Sequence, residues 1–360
     1  MTAWPSRDVL RVTLLVAGVY LAFQLLWVAR SVFVLGFLGV LFGITLSAGV
    51  TWLQRRGLPR AVGAVILMGA VLALLVGLGA VVAPRMTEQW EDLQHQLPEA
   101  LSQVEQWVRE REGGVSRLLQ TPSDSAARQT QEPGIRQTVA AQVGKLGANF
   151  FNIFSSTLTV LGGLVIITFV AVYIAVDPRT YRRGIMHLVP HGSRAKAGEV
   201  LDAMGVSLRR WLVAQLIGML VIGAISTVAL LLLDVRAAVA LGIIAGILEF
   251  VPYFGPIISA VPAMAMAFLD GPEKALWVAL AYLAIQQIEG NIMMPLLMKE
   301  GLDLPPVLTI LSQAALSLVF GFVGLLFAVP LLGAVMVPIK LLYVQDVVGD
   351  DVPLPGEDSG

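Results

Sequence analysis

The chain offers apolar runs longer than a soluble core helix needs, and these constrain its fold more than any motif does. Five of them, residues 9–29, 31–53, 61–83, 150–176 and 211–233, reach the roughly 20 residues required to cross a hydrocarbon core about 30 Å thick. Backbone polar groups in lipid must be satisfied within the segment, so runs of this kind are expected to be helices. Gly63, Gly69, Gly77 and Gly79 lie inside the third run, as suits helices that approach closely in a membrane. Only 14% of residues are charged, where soluble domains carry roughly 25%, so lipid is the expected solvent. The net charge of −1 gives no global attraction to nucleic acid. Cysteine is absent, which excludes disulfides, thiolate metal sites and cysteine nucleophiles, and three scattered histidines argue against a metal centre. No cofactor is implied.

Arg7 and Arg11 ahead of the first run resemble a secretory leader. No Ala-x-Ala-like site closes the run, however, and a second run starts at Ser31, so a retained first span is expected. Residues 1–83 would then hold three spans. After Pro84 the chain turns polar, and residues 84–149 are expected to form a small soluble helical insertion. Trp90, Leu93, Leu97, Ala100, Val104 and Trp107 recur at three- and four-residue steps, an apolar seam that Pro98 would kink. A Gly/Ser/Pro/Gln-rich linker, residues 113–134, leads to Val139, Val143, Leu146 and Phe150, a second helix entering the fourth span at 150–176. The two helices would pack on each other or on neighbouring subunits.

Basic residues gather in two connections. Arg55, Arg56 and Arg60 form one cluster, and Arg179, Arg182, Arg183, Arg194, Lys196, Arg209 and Arg210 form the other. The positive-inside rule places both in the cytoplasm as topological anchors, with both chain termini inside and the insertion outside. Residues 177–210 then form a basic amphipathic arm. Ala197, Leu201, Met204, Leu208 and Trp211 share one helical face, expected on the membrane surface or on a neighbouring helix.

The pattern changes within residues 211–343. Two apolar runs, 237–248 and 257–269, would be about 18–20 Å long as helices, too short to cross singly. Glu249-Phe250-Val251-Pro252-Tyr253-Phe254-Gly255-Pro256 separates them, and its prolines forbid a continuous helix. A second pair, 307–320 and 322–339, is parted by Phe320-Gly321-Phe322-Val323-Gly324. These are expected as two re-entrant or broken-helix hairpins, 237–269 and 305–339, flanking a polar helix at 275–298. Phe254-Gly255 before Ala260-Val261-Pro262 echoes Phe320-Gly321 before Ala328-Val329-Pro330, with spacings that differ by two residues. The echo reads either as helix-breaking chemistry or as an internal repeat.

Interrupted apolar segments in pairs point to a transport site, because irregular backbone at membrane depth is tolerated only against protein or water. The polar helix carries Tyr282, Gln286, Glu289 and Met293 on one stripe, with Gln287 and Asn291 on another. Glu289 stands as a proton or cation relay, or else as a cap for a neighbouring broken helix. Glu249 is a second candidate, or an interfacial group in contact with water. The expected substrate or ion pathway comprises Glu289, Gln286, Gln287, Asn291, Glu249, Pro252, Tyr253, Gly255, Pro256, Phe320, Gly321 and Gly324. The acidic, Gly/Pro-rich end, residues 344–360, is expected to be a disordered tail.

The run Phe250 to Ile258, then Gln286-Gln287-Ile288-Glu289-Gly290-Asn291 with Pro295, then Phe320 to Gly324 and Ala328-Val329-Pro330, resembles the AI-2E family of transporters in order and spacing. The chain departs from it at Pro305-Pro306, where relatives often carry His-Pro, and at Ser312-Gln313-Ala314-Ala315, which replaces a common glycine pair. The resemblance implies membrane transport, a small-molecule or ion substrate, the bacterial plasma (inner) membrane and a homo-oligomer, pentameric in that family.

The reading is an all-α polytopic membrane protein of about six full spans. Its preferred function is secondary transport that exports a small solute such as autoinducer-2 or a related metabolite. A Na+(Li+)/H+ antiporter is the alternative, and a scaffold acting through the insertion, or a channel, stands behind it. No Gly-x-x-x-x-Gly-Lys-Ser/Thr, His-Glu-x-x-His or Gly-x-Ser-x-Gly sequence occurs, so neither a built-in ATPase nor a common hydrolase is expected.

Overall fold

A computed structural model describes residues 6–74, 76–77, 96, 99, 102–103, 157–297 and 304–350, and every element among them is helical. The apolar seam of the insertion (Trp90, Leu93, Leu97, Ala100, Val104 and Trp107), the Pro98 kink, the 113–134 linker and residues 351–360 lie outside the described residues. The helices are α1 (Ser6–Arg55), α2 (Arg60–Leu74), α3 (Thr157–Val176), α4 (Pro178–His187), α5 (Arg194–Leu232), α6 (Ala238–Leu248), α7 (Phe254–Phe268), α8 (Pro272–Ile288), α9 (Pro306–Phe320) and α10 (Phe322–Pro338). A wider π turn, Glu289–Met293, prolongs α8, and a π-helical stretch, Ile339–Val348, prolongs α10.

Among the described residues three helical stretches are long and apolar enough to cross a membrane: Val32–Arg55, His191–Leu232 and Phe322–Val348. A fourth is gained if Gly162–Val176 and Pro178–His187, bent by 87° at Asp177, count as one. Of the six spans expected, the described residues thus show three, or four. Residues 9–29 and 31–53 are not two spans but one helix, because Ala29-Arg30-Ser31 holds neither proline nor glycine to break it. Its 50 residues reach about 75 Å.

Helix α5 is the axis of the C-terminal half. Around its N-terminal half, Val200, Leu208, Trp211 and Leu212 bury against Leu41 of α1 and against Val329, Val337 and Leu341 of the α10 stretch. Around its C-terminal end, Leu230 and Val235 bury against Ala238 and Leu241 of α6, Ala263, Met266 and Ala267 of α7, and Val278 of α8. Two G-x-x-x-G steps let backbones meet. A Cβ on Gly246 would stand 2.7 Å from the Met219 carbonyl of α5, and one on Gly39 of α1 would stand 2.6 Å from Val170 Cβ of α3.

The helices α6 and α7 form one hairpin and α9 and α10 another, and the two enter from opposite ends of α5. The open end of the first lies where Arg236 pairs with Asp270, and Lys274 with both Asp270 and the Asp234 carbonyl. The open end of the second lies at the other end, where Asp346 pairs with Lys196 at 2.9 Å and Leu304 packs against Val200 and its neighbours. Each start in the second hairpin follows its counterpart in the first by 68 residues (238 to 306, 254 to 322), as do the helix prolines (262 to 330). The echo in the sequence thus has a constant spacing once the helix starts are aligned. Phe254 matches Phe322 rather than Phe320, and Tyr253 matches Gly321. In both hairpins a glycine near the start of the second arm, Gly255 or Gly324, leaves no room for a Cβ against the end of the first arm, at the Leu248 and Leu316 carbonyls. Leu248 and Leu316 are again 68 residues apart.

The basic clusters meet at one end. Arg60 donates to the Ala175 carbonyl at 3.0 Å and to Ser47 Oγ at 2.8 Å, joining the start of α2 to α1 and to the end of α3. Asp177 caps α4 by accepting from the Thr180 amide and hydroxyl, bonds that hold its carboxyl below the usual carboxylate range. Within the arm, Leu208 and Trp211 face protein and not lipid, because α5 runs on unbroken from the arm into its span. Of the tail expected from residue 344, the first five residues are helical instead. Residues 339–348 are helical, since Leu341 is buried and Asp346 is held by Lys196.

Candidate functional site

The first hairpin turns beside the middle of α5, and its turn is fastened by amides from two other helices. Gln215 of α5 is fully buried and donates its Nε2 to the Glu249 carbonyl at 2.6 Å. Gln313 of α9, also fully buried, donates its Nε2 to the Pro252 carbonyl at 3.2 Å. These bonds satisfy carbonyls that the prolines and the end of α6 leave free. Trp211 closes the α5 side, edge-on to Phe250 with centroids 5.8 Å apart.

Two carboxyl groups meet behind this turn. Glu249 is fully buried and Glu289 nearly so, at 7% exposed. They face one another closely enough to interact electrostatically, although neither oxygen of Glu249 has a partner in hydrogen-bond geometry. Glu289 accepts from Gln286 Nε2 at 3.1 Å. Among the described residues no lysine or arginine pairs with either. Adjacent buried carboxylates repel and are costly to desolvate, so the pair demands a proton or a cation between them. The side-chain oxygens of Gln215 and Gln313 are likewise buried and unpartnered, so the neighbourhood is rich in free acceptors.

Glu289 is placed by the π turn. The Asn291 amide bonds both the Gln287 backbone carbonyl, at 3.0 Å, and the Gln287 side chain, at 2.8 Å. A side chain that occupies a carbonyl of the preceding turn competes with the helical ladder and opens it, a common feature of functional sites. Gln287 and Asn291 themselves are exposed and partner each other, so the structure does not bring them to the carboxyl pair. Tyr253 is 44% exposed at the tip of the first hairpin, between half-buried Pro252 and Phe254, with Gly255 buried and Pro256 half-buried. At the second tip, Gly321 is exposed, Gly324 is buried, and Phe320 packs edge-on against Phe327 at 5.2 Å. Arg30 of α1 donates to the Val319 carbonyl there at 3.4 Å.

Sequence reasoning missed Gln215 and gave Gln313 no role. The signal was present. Gln215 is the lone amide in an apolar run of α5, and a polar group at membrane depth needs a partner.

The model of the AI-2E family transporters matches residues 13–343, nearly the whole chain and all of both hairpins. The chain belongs to the AI-2E transporter family. This AI-2E member is 25% identical to YueF of Bacillus subtilis (strain 168), named a candidate transport protein, over 83% of each chain. It is 26% identical to YrrI of the same strain, named likewise, over 88% of this chain and 90% of that one. Over a shorter stretch, 35% of this chain and 37% of the other, it is 33% identical to the AI-2 transport protein TqsA of Escherichia coli (strain K12). It is a multi-pass membrane transport protein, not an enzyme.

Proposed function

We propose that the chain is an ion-coupled secondary transporter that exports a small solute, autoinducer-2 or a related metabolite. The Glu249–Glu289 pair is the coupling site. The single observation behind this reading is that pair: two buried carboxyl groups with no cationic partner, behind a hairpin turn at membrane depth. Gln286 orients Glu289, and the tips at Pro252, Tyr253, Gly255, Pro256, Phe320, Gly321 and Gly324 border the passage. Gln287 and Asn291, on the exposed face, stay outside it. The name of TqsA supports the cargo. The same pair favours Na+(Li+)/H+ exchange as a second reading, since a site that must hold a proton or a cation can trade one for the other.

The basic end of the helices is the cytoplasmic face of a bacterial plasma membrane in this proposal, by the positive-inside rule. The α10 stretch ends there, and the insertion lies opposite, where Arg236 donates to Gln96. Helix α1 carries Ser6 to the far end from Arg55, so the proposal keeps the C-terminus in the cytoplasm and not the N-terminus. Homo-oligomers, pentameric by family resemblance, are part of the same reading.

Dissipation of a preset proton gradient in everted vesicles, on addition of sodium, lithium and then autoinducer-2, tests it in wild type and Glu289→Gln. Autoinducer-2 uptake that consumes the gradient and is lost in the variant supports solute export. A response to sodium or lithium alone selects the exchanger. Silence in both proteins defeats proton coupling.

A further inference from the structure

The two hairpins are copies, and they differ most tellingly at the turn. Position 253 of the first copy corresponds to position 321 of the second, and both adopt positive φ, 67° and 63°. The second copy has glycine there, which reaches this region freely. The first has tyrosine, at φ 67° and ψ −47°, a conformation that side chains avoid and that is found chiefly where function requires it. Among the described residues, no side-chain contact of Tyr253 offsets the strain. The Tyr253 side chain is 44% exposed and, among the described residues, makes no hydrogen bond and no ring contact. The turn itself is held by Gln215 and Gln313 through the Glu249 and Pro252 carbonyls, not through the ring.

We propose that Tyr253 is a cargo-contacting, specificity-determining residue: the first hairpin presents its aromatic ring to an organic solute beside the Glu249–Glu289 pair. An exposed ring offers a stacking face and one hydroxyl, which suits a small solute with a CH face and polar groups. A bare ion would instead use the carboxyl pair. The two hairpins therefore divide the labour. The first carries the ring and the carboxylate Glu249. The second carries, at matching positions, Gly321 and Ser317, and supplies Gln313 as a fastener.

The inference rests on the transporter reading, and two of its three tests need no cargo. Tyr253→Gly is expected to melt at or above the wild-type temperature, because the strain is relieved. A clear loss of thermal stability would make the ring a structural element and overturn the proposal. The protein has no cysteine, so Tyr253→Cys carries a unique thiol. A membrane-impermeant maleimide is expected to label it in right-side-out or in everted vesicles, and a thiol unreactive in both would overturn the proposal. With autoinducer-2 as the probe, Tyr253→Gly is expected to take up roughly tenfold less at subsaturating concentration, while Tyr253→Phe keeps most uptake through its ring. Full uptake by Tyr253→Gly overturns the proposal. Wild-type protein that moves no autoinducer-2 refutes the cargo reading instead, and the first two tests still decide Tyr253.

Discussion

Gln313 donates its side-chain amide to the carbonyl of Pro252, and this single bond ties the first arm of one hairpin to the turn of the other. Because the hairpins enter from opposite ends of α5, the bond joins two oppositely entering hairpins near the carboxyl pair. Gln313→Leu keeps the volume but leaves the Pro252 carbonyl without its partner, at a cost of about 1–3 kcal/mol. Thermal unfolding in detergent is expected to show a midpoint several degrees lower, and an unchanged midpoint would show that the hairpins do not lean on this bond.

Glu249→Gln and Glu289→Gln each remove one carboxyl from the pair without changing its shape. Both are expected to fold at wild-type yield, since neither breaks an ion pair. Proton-coupled flux is expected to fall at least about tenfold in each, and the double variant should fall little further because the two groups act as one unit. Independent, multiplying losses would mean two separate sites.

At the crossing of α5 and α6, Gly246→Leu forces a side chain into the Met219 carbonyl. Destabilisation of about 1–3 kcal/mol is expected from such overpacking. Gly69→Leu, where a Cβ meets nothing within 4 Å, is the matched control. Propensity alone favours leucine over glycine, so comparable losses in both would show that close approach does not set Gly246 apart.

Asp177 sets the bend between α3 and α4, and its carboxyl is held below its ordinary value chiefly by the Thr180 hydroxyl. A depressed folded-state value means that the cap contributes at pH above the ordinary carboxylate range and is lost as pH falls through the lowered value. Protection factors of the amides in residues 178–187, taken relative to the intrinsic exchange rate at each pH, are expected to fall on acidification in wild type. Asp177→Ala should show low protection throughout, with no such fall of its own.

Long apolar runs, broken at Pro252 and Gly321 and interrupted by Glu289, were enough to set a helical membrane protein with two hairpins, because lipid leaves the backbone few alternatives. Family motifs placed it among transporters for the same reason: prolines, glycines and an intramembrane carboxylate speak through local chemistry. Contacts between distant segments had no such voice. That α1 is one helix followed from the absence of a breaker at Arg30, yet its packing against α3 depends on Gly39 meeting Val170, 131 residues away along the chain. The opposed entry of the hairpins, the constant offset of their starts and the meeting of Glu249 with Glu289 arise only when α5 gathers them. Local propensity fixes where a helix begins and ends. Which buried amide satisfies which distant carbonyl, as Gln215 does for Glu249 and Gln313 for Pro252, is decided by packing alone.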